Sequence, residues 1–294
     1  MTVQDKIIHY TTEESIRLAV AVTKGITEKA RQCHRLAPVA CAALGRTMTG
    51  ALLLARDYKN REGVSIVIRG DGPLGTIHVD SFDTNKVRGF VEYPQIKLPL
   101  KADGKLDVGT AVGKGTLQVT RFTPRQDTYT SRAELVSGEI AEDLAYYLYT
   151  SEQIPSTVSL GVLVARDFTV AAAGGFFVQA LPGAREEDLA RVEKNVQDIG
   201  PVTSYLQEDP QGERLAEKIF AGLHFRELFR QEAKWQCTCS LQRMKRALLS
   251  LRAQDKELLL QDPQVEMTCR YCGTAYVLTR KELATLYGTT KKEG

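Results

Sequence analysis

The sequence predicts an α+β protein: a mixed α/β core domain over residues 1–182, a helical amphipathic linker over 183–233, and a small cysteine-rich C-terminal domain over 234–294. Three observations carry this. The apolar period alternates between that of a helix and that of a strand along the first segment. After Pro182-Gly183 the composition turns to a charged, helix-forming stretch broken at Pro201 and Pro210. Four of the six cysteines then fall in the last segment, as Cys237-x-Cys239 and Cys269-x-x-Cys272.

Taken in order, residues 12–30 read as a helix ending near Gln32, and residues 38–59 as a stronger one, rich in Ala, Leu and Met. Its only glycines, Gly45 and Gly50, mark places where another backbone is expected to approach. The period then becomes two over residues 64–69 and 75–80, joined by the turn sequence Gly70-Asp71-Gly72-Pro73. Gly70-x-Gly72-x-x-Gly75 has the spacing of a dinucleotide-binding loop. It runs through Pro73 into a second strand pattern, so no helix N-terminus meets a pyrophosphate, and it reads as a hairpin turn. Further strands are predicted at 86–93 and 115–122. A helix at 139–150 has Glu139, Glu142 and Asp143 where the helix dipole favours acids. Two apolar strands, 158–165 and 168–181, meet at Arg166-Asp167. The domain is expected to be stable alone.

In the linker, Leu189, Val192, Val196 and Ile199 share one helical face, and Leu215, Ile219, Phe220 and Leu223 another. Two such stripes must cover something, so the linker is expected to dock on a neighbour. The C-terminal domain should hold a helix capped by Ser240 with Leu241, Met244, Leu248 and Leu251 on one face. A hairpin at 265–269 and 275–278 should follow, then a last short helix opened by the capping box Thr279-x-x-Glu282. So short a segment buries little surface, and a metal is its expected staple.

The cysteine spacing suits one Zn²⁺ per chain. Cys269-x-x-Cys272 turns both sulfurs inward, with Gly273 free to turn sharply behind them. Cys237 and Cys239, two apart, share a face of an extended segment while Thr238 points away. His9, His34, His78 and His224 lie far away in sequence, which leaves four thiolates as the ligand set. Unligated core cysteines or a chance cluster are the alternatives. Most such sites in small domains are inert staples, and spacing alone favours that reading over a redox role. Two features open a redox role: Cys-x-Cys thiols are within reach of each other, and local unfolding at the chain's end need not disturb the core. Cys33 and Cys41 read as small buried apolar residues.

Over 294 residues, 43% apolar and 26% charged composition is that of a soluble globular protein, and a net charge of +3 argues for neither nucleic acid nor an acidic membrane. The N-terminus shows no secretory signal, and no apolar run reaches the ~20 residues of a bilayer span. The expectation is a cytoplasmic protein, where cysteine clusters bind metal or respond to oxidants more often than they form structural disulfides. Lys234, Arg243, Lys245, Arg246 and Arg252 read as a solvated face rather than a phosphate site. No Ser/His/acid or paired-carboxylate arrangement is assignable, so no enzyme is predicted.

Several stretches carry a family likeness: residues 43–48 (ALGRTM), 72–75 (GPLG), 104–108 (GKLDV), 136–143 (VSGEIAED), 151–156 (SEQIPS) and 173–176 (AGGF), followed by both cysteine pairs. Together they resemble the bacterial redox-regulated 33 kDa chaperonin, the heat shock protein 33 family, over nearly the whole chain. The resemblance implies a reduced, inactive state with zinc on Cys237, Cys239, Cys269 and Cys272. It implies that hypochlorous acid, or peroxide with mild unfolding, converts these to disulfides within each motif, releases the metal and loosens the linker. Apolar surface then holds unfolding client proteins without nucleotide hydrolysis, and the active form is a homodimer. Cys33 and Cys41 receive no role. A zinc-ribbon nucleic-acid-binding protein is the rival reading. A thiol oxidoreductase built on Cys269-x-x-Cys272 is weaker, because no thioredoxin-like βαβ context surrounds it.

Overall fold

The chain begins with a hairpin, β1 (Lys6–Thr12) against β2 (Ile16–Val22), in the first of two compact units, Met1–Gln236 and Cys237–Gly294. The computed structural model describes residues 4–13, 15–55, 62–123 and 128–288. The helix predicted over residues 12–30 is therefore strand first, and helix only from α1 (Lys24–His34) onward. The reason lies in the surroundings of β2. All its residues but Arg17 are buried, since its sheet is covered on both faces, and such a strand shows a continuous apolar run without a period of two.

α2 (Pro38–Leu54) starts with proline at its first turn and is buried around nearly its whole circumference. Residues 56–59 of the longer predicted helix lie outside the described residues. Its glycines admit side chains, not the backbone predicted: a Cβ on Gly45 would stand 2.6 Å from Thr27 Cγ2 and 2.8 Å from Val162 Cγ2, and one on Gly50 would collide with Leu144.

The predicted hairpin follows as β3 (Gly63–Gly70) and β4 (Thr76–Phe82), then β5 (Lys86–Val91). The glycine turn is bonded to a neighbouring segment: Gly72 N donates to Val112 O at 3.0 Å and Leu74 N to Ala111 O at 3.0 Å. Those acceptors belong to α3 (Val108–Val112), a short helix the sequence pattern does not reveal, before β6 (Gly115–Phe122) and β7 (Thr128–Glu134). In α4 (Ala141–Ser151) the buried Asp143 closes the preceding loop, accepting from Val136 N at 2.7 Å, Ser137 N at 3.0 Å and Ile140 N at 2.9 Å. β8 (Ser156–Val164) and β9 (Val170–Ala180) form the last predicted hairpin.

The charged stretch supplies α5 (Glu186–Gln197), α6 (Val202–Glu208) and α7 (Glu213–Ile219). It is not helical throughout: Phe225–Glu232 is a strand, β10, and Lys234–Trp235 a second, β11. One sheet has the order β10-β1-β2-β9-β8 and the other β11-β5-β4-β3-β6-β7. Thus residues 225–235 form an edge strand in each sheet, with Ala233 between them donating to Asp5 O at 2.9 Å. A short charged segment reads as helix by propensity, and only the unpaired edges of two sheets make it strand.

α2 lies between the sheets, in a core shared with Ile7, Ala19 and Ala21 of the first and Ile66, Ile68 and Val79 of the second. The first sheet's other face carries Ile8, Leu18, Val20 and Phe176, and α5–α7 cover it with Val192, Leu206, Leu215, Ile219 and Phe220. Both predicted stripes are therefore docked. Each such side chain contributes about 1.5–3 kcal/mol by leaving water. Among the described residues no helix is long and apolar enough to cross a membrane.

The second unit holds α8 (Leu241–Leu249), α9 (Ala253–Leu259), the antiparallel pair β12 (Gln264–Thr268) and β13 (Ala275–Thr279), and α10 (Arg280–Tyr287). Ser240 caps α8 through Arg243 N, and Thr279 with Glu282 forms the predicted capping box. Its core is three buried leucines, Leu248, Leu278 and Leu283. Of the face predicted for α8 only Leu248 is buried, while Leu241 and Leu251 are exposed. A domain this small has too little core to bury a full helix stripe.

Candidate metal centre

The β12–β13 connection is a tight turn that presents two sulfurs. Cys269 N donates to Thr274 O at 2.9 Å and Gly273 N to Cys269 O at 2.8 Å. Gly273 has φ +70°, a left-handed conformation that glycine adopts without strain. Cys237 and Cys239 arrive on the irregular segment before α8, where Arg243 Nη1 holds Thr238 O at 2.9 Å. Both sulfurs of that segment face the turn: Cys237 Sγ lies 3.7 Å from Cys269 Sγ, and Cys239 Sγ 3.4 Å from Cys272 Sγ.

All four sulfurs lie within 4.8 Å of one another. A tetrahedral ion with metal–sulfur bonds of ~2.3 Å requires sulfur–sulfur edges of about 3.8 Å. The cluster thus has the size of a four-thiolate metal site and is able to hold one ion. As free thiols its members differ. Burial pushes Cys237 up to about 12 and raises Cys269. Burial acts the same way on Cys272, but hydrogen bonds with Thr274 and the neighbouring sulfurs outweigh it and bring that thiol down to about 7. A bound cation must displace these protons, so metal affinity at the cluster rises with pH.

The structure adds two residues that spacing does not single out. Tyr276 Oη donates to Cys239 Sγ at 3.1 Å, and Thr274 Oγ1 lies 3.2 Å from Cys272 Sγ. Their signal in the sequence is their place just beyond the Cys-x-x-Cys turn, two and four residues after Cys272, with Tyr276 on the exit strand.

The remaining candidates lie elsewhere. Cys41 is fully buried in α2, where burial pushes its thiol up to about 12, and Cys33 is half-buried in α1. The histidines stay in the first unit: His34 contacts Gly89 O at 3.0 Å, His78 contacts Ser65 Oγ at 3.2 Å, and His9 stacks on Phe229 with ring centroids 4.1 Å apart. Of the basic residues, Lys234 pairs with Glu232 at 2.6 Å and Arg252 with Asp255 at 2.9 Å, while Arg243 is engaged with Thr238.

Comparison with known proteins agrees with this architecture. The family model described as Hsp33 protein matches residues 5–279. A 33 kDa chaperonin of Desulforamulus reducens is 42% identical over 270 residues, covering 92% of each chain. One from Thermus thermophilus is 42% identical over 286 residues, covering 93% of this chain and 84% of its own. The crystal structure of the 33 kDa chaperonin from Thermotoga maritima superposes with a TM-score of 0.88 at 35% identity, covering 96% of this chain and 98% of that one.

Proposed function

The chain belongs to the Hsp33 family of chaperones, and from that premise we propose that it is a cytoplasmic holdase switched by thiol oxidation. Cys237, Cys239, Cys269 and Cys272 bind one Zn²⁺ per chain in the reduced, inactive state. The observation that carries this reading is the convergence of four sulfurs within 4.8 Å in a unit whose core is three leucines. When bound, zinc supplies a cross-link between the two cysteine segments worth ~10–16 kcal/mol in small zinc modules.

Oxidation removes the ligands. One thiolate sulfur attacks an oxygen of peroxide, an S–O bond forms as O–O breaks, and hydroxide leaves with the electron pair. A second thiolate then displaces hydroxide from the sulfenic acid, closing S–S, so each disulfide consumes two thiolates and one two-electron oxidant. We assign the disulfides within each motif, Cys237 with Cys239 and Cys269 with Cys272. The module from Cys237 onward loses its staple, the linker over 183–233 loosens from the core domain over 1–182, and the apolar sheet face carrying Ile8, Leu18, Val20 and Phe176 becomes available to unfolding clients. The active form is a homodimer, and no bond in the client is made or broken.

The test is an oxidant titration of the zinc-loaded chain in which zinc release and suppression of client aggregation are followed together. Both should rise in step, and reductant with zinc should reverse them. Aggregation suppression by the reduced, zinc-loaded chain, or zinc loss without gain of holdase activity, overturns the reading. The nucleic-acid rival predicts salt-sensitive binding by the reduced chain, and no feature of the basic residues favours it.

A further inference from the structure

The four sulfurs do not have equivalent surroundings. Cys239 Sγ accepts from the Tyr276 hydroxyl at 3.1 Å, whereas backbone N–H groups serve Cys237, from Cys239, and Cys269, from Tyr271 and Cys272. The phenol is well placed by its strand. Tyr276 stands opposite Met267 in the β12–β13 register and shares its face of β13 with Leu278, which is fully buried and anchors that face in the leucine core. The ring is half-buried.

We propose that Tyr276 is a positioning residue that sets the oxidation threshold of the switch by holding a lone pair of Cys239 in a hydrogen bond. The inference rests on the zinc–thiolate reading above. Peroxide reacts through a sulfur lone pair: S–O forms, O–O breaks, hydroxide departs, and the sulfur loses its negative charge. A hydrogen bond donated to sulfur is strongest while that charge is present. It therefore stabilises the starting thiolate more than the transition state and slows attack. The same donor draws charge from the sulfur without removing it from a metal's reach, as groups behind a metal ligand do. Cys237 has the backbone N–H of Cys239 as its donor in place of a phenol. Tyr276 thus makes the two sulfurs of one motif unequal, and sets how much oxidant is needed before Cys239 reacts.

Tyr276→Phe removes the hydroxyl and keeps the ring. In the full-length, zinc-loaded chain, hydrogen peroxide should oxidise Cys239, read by alkylation and mass spectrometry, and release zinc to a chromogenic chelator roughly three- to tenfold faster than in the parent. Release to the chelator without peroxide should change by less than about twofold. Placing 3-fluorotyrosine at 276, a stronger donor of nearly the same shape, should slow oxidation, an effect that a purely structural role does not produce. Equal peroxide rates in parent and Tyr276→Phe overturn the inference. So does an equal acceleration of peroxide-free release, which marks a packing role. Failure of the parent itself to hold zinc on sulfur, or to release it on oxidation, is seen before any variant is compared, and brings down the zinc reading and this inference with it.

Discussion

At the scale of single residues, Glu28 shows how one carboxylate joins distant segments. It accepts from Arg31 Nη2 at 2.6 Å and Gln32 Nε2 at 2.7 Å within and beyond its helical turn, and from Val170 N at 3.0 Å at the start of β9. Hydrogen bonding to Arg31 outweighs burial and holds its carboxyl at about 2, below its ordinary 4.5. A depressed carboxylate contributes stability above its unfolded value and loses it as pH falls through the folded one. Glu28→Gln should therefore cost about 1–2 kcal/mol at pH 7, with the gap to the parent closing between pH 4.5 and 2 in urea denaturation. A gap independent of pH would remove the ionic contribution. Among the cysteines, Cys269→Ser leaves three sulfurs, and should lower zinc affinity and make the second unit protease-sensitive. Unchanged zinc retention and an unchanged cleavage pattern would count against a folding role for the metal.

At the scale of elements, the cover of the first sheet is the informative part. Stripes at Leu189, Val192, Val196 and Ile199 and at Leu215, Ile219 and Phe220 were legible because helical periodicity survives whatever the helix packs on. Their partner was not, because β2 reads as a continuous apolar run until it is known to be buried on both faces. Ile219 is fully buried against that sheet. Ile219→Asp loses its apolar contacts and buries a carboxylate, at a cost of several kcal/mol that undocking relieves. The reduced variant should suppress client aggregation without oxidant. If it stays inactive, and hydrogen exchange across α5–α7 matches the parent, the covering role of these helices is wrong.

At the scale of the whole molecule, the proposed switch requires that loss of metal in the second unit be felt in the first. The chain leaves the first unit through β11, where Trp235 pairs with Val87 and packs partly buried against the main core, and Gln236 N donates to Val87 O at 3.0 Å. Cys237 is the next residue. A two-residue strand at a sheet edge has few bonds to lose, so it is the weakest attachment of this segment. Chelating zinc from the reduced chain should therefore shift Trp235 emission to the red, in step with metal loss. Complete zinc loss with unchanged emission and unchanged far-UV circular dichroism would mean that the module folds without metal and that nothing is transmitted.

The sequence by itself determined the α+β class, the strand pairs on either side of Gly70–Gly75 and Arg166-Asp167, the amphipathic linker helices, the capping residues Ser240 and Thr279, and the four cysteines that meet. Each of these rests on local periodicity, on turn chemistry, or on a ligand spacing that a short turn enforces. Only the tertiary structure decided that residues 16–22 are strand, that residues 225–235 complete two sheets, and that Tyr276 reaches Cys239. In those cases the deciding contact comes from residues distant in the chain, whose free edge, second covering layer or sulfur outweighs the local preference.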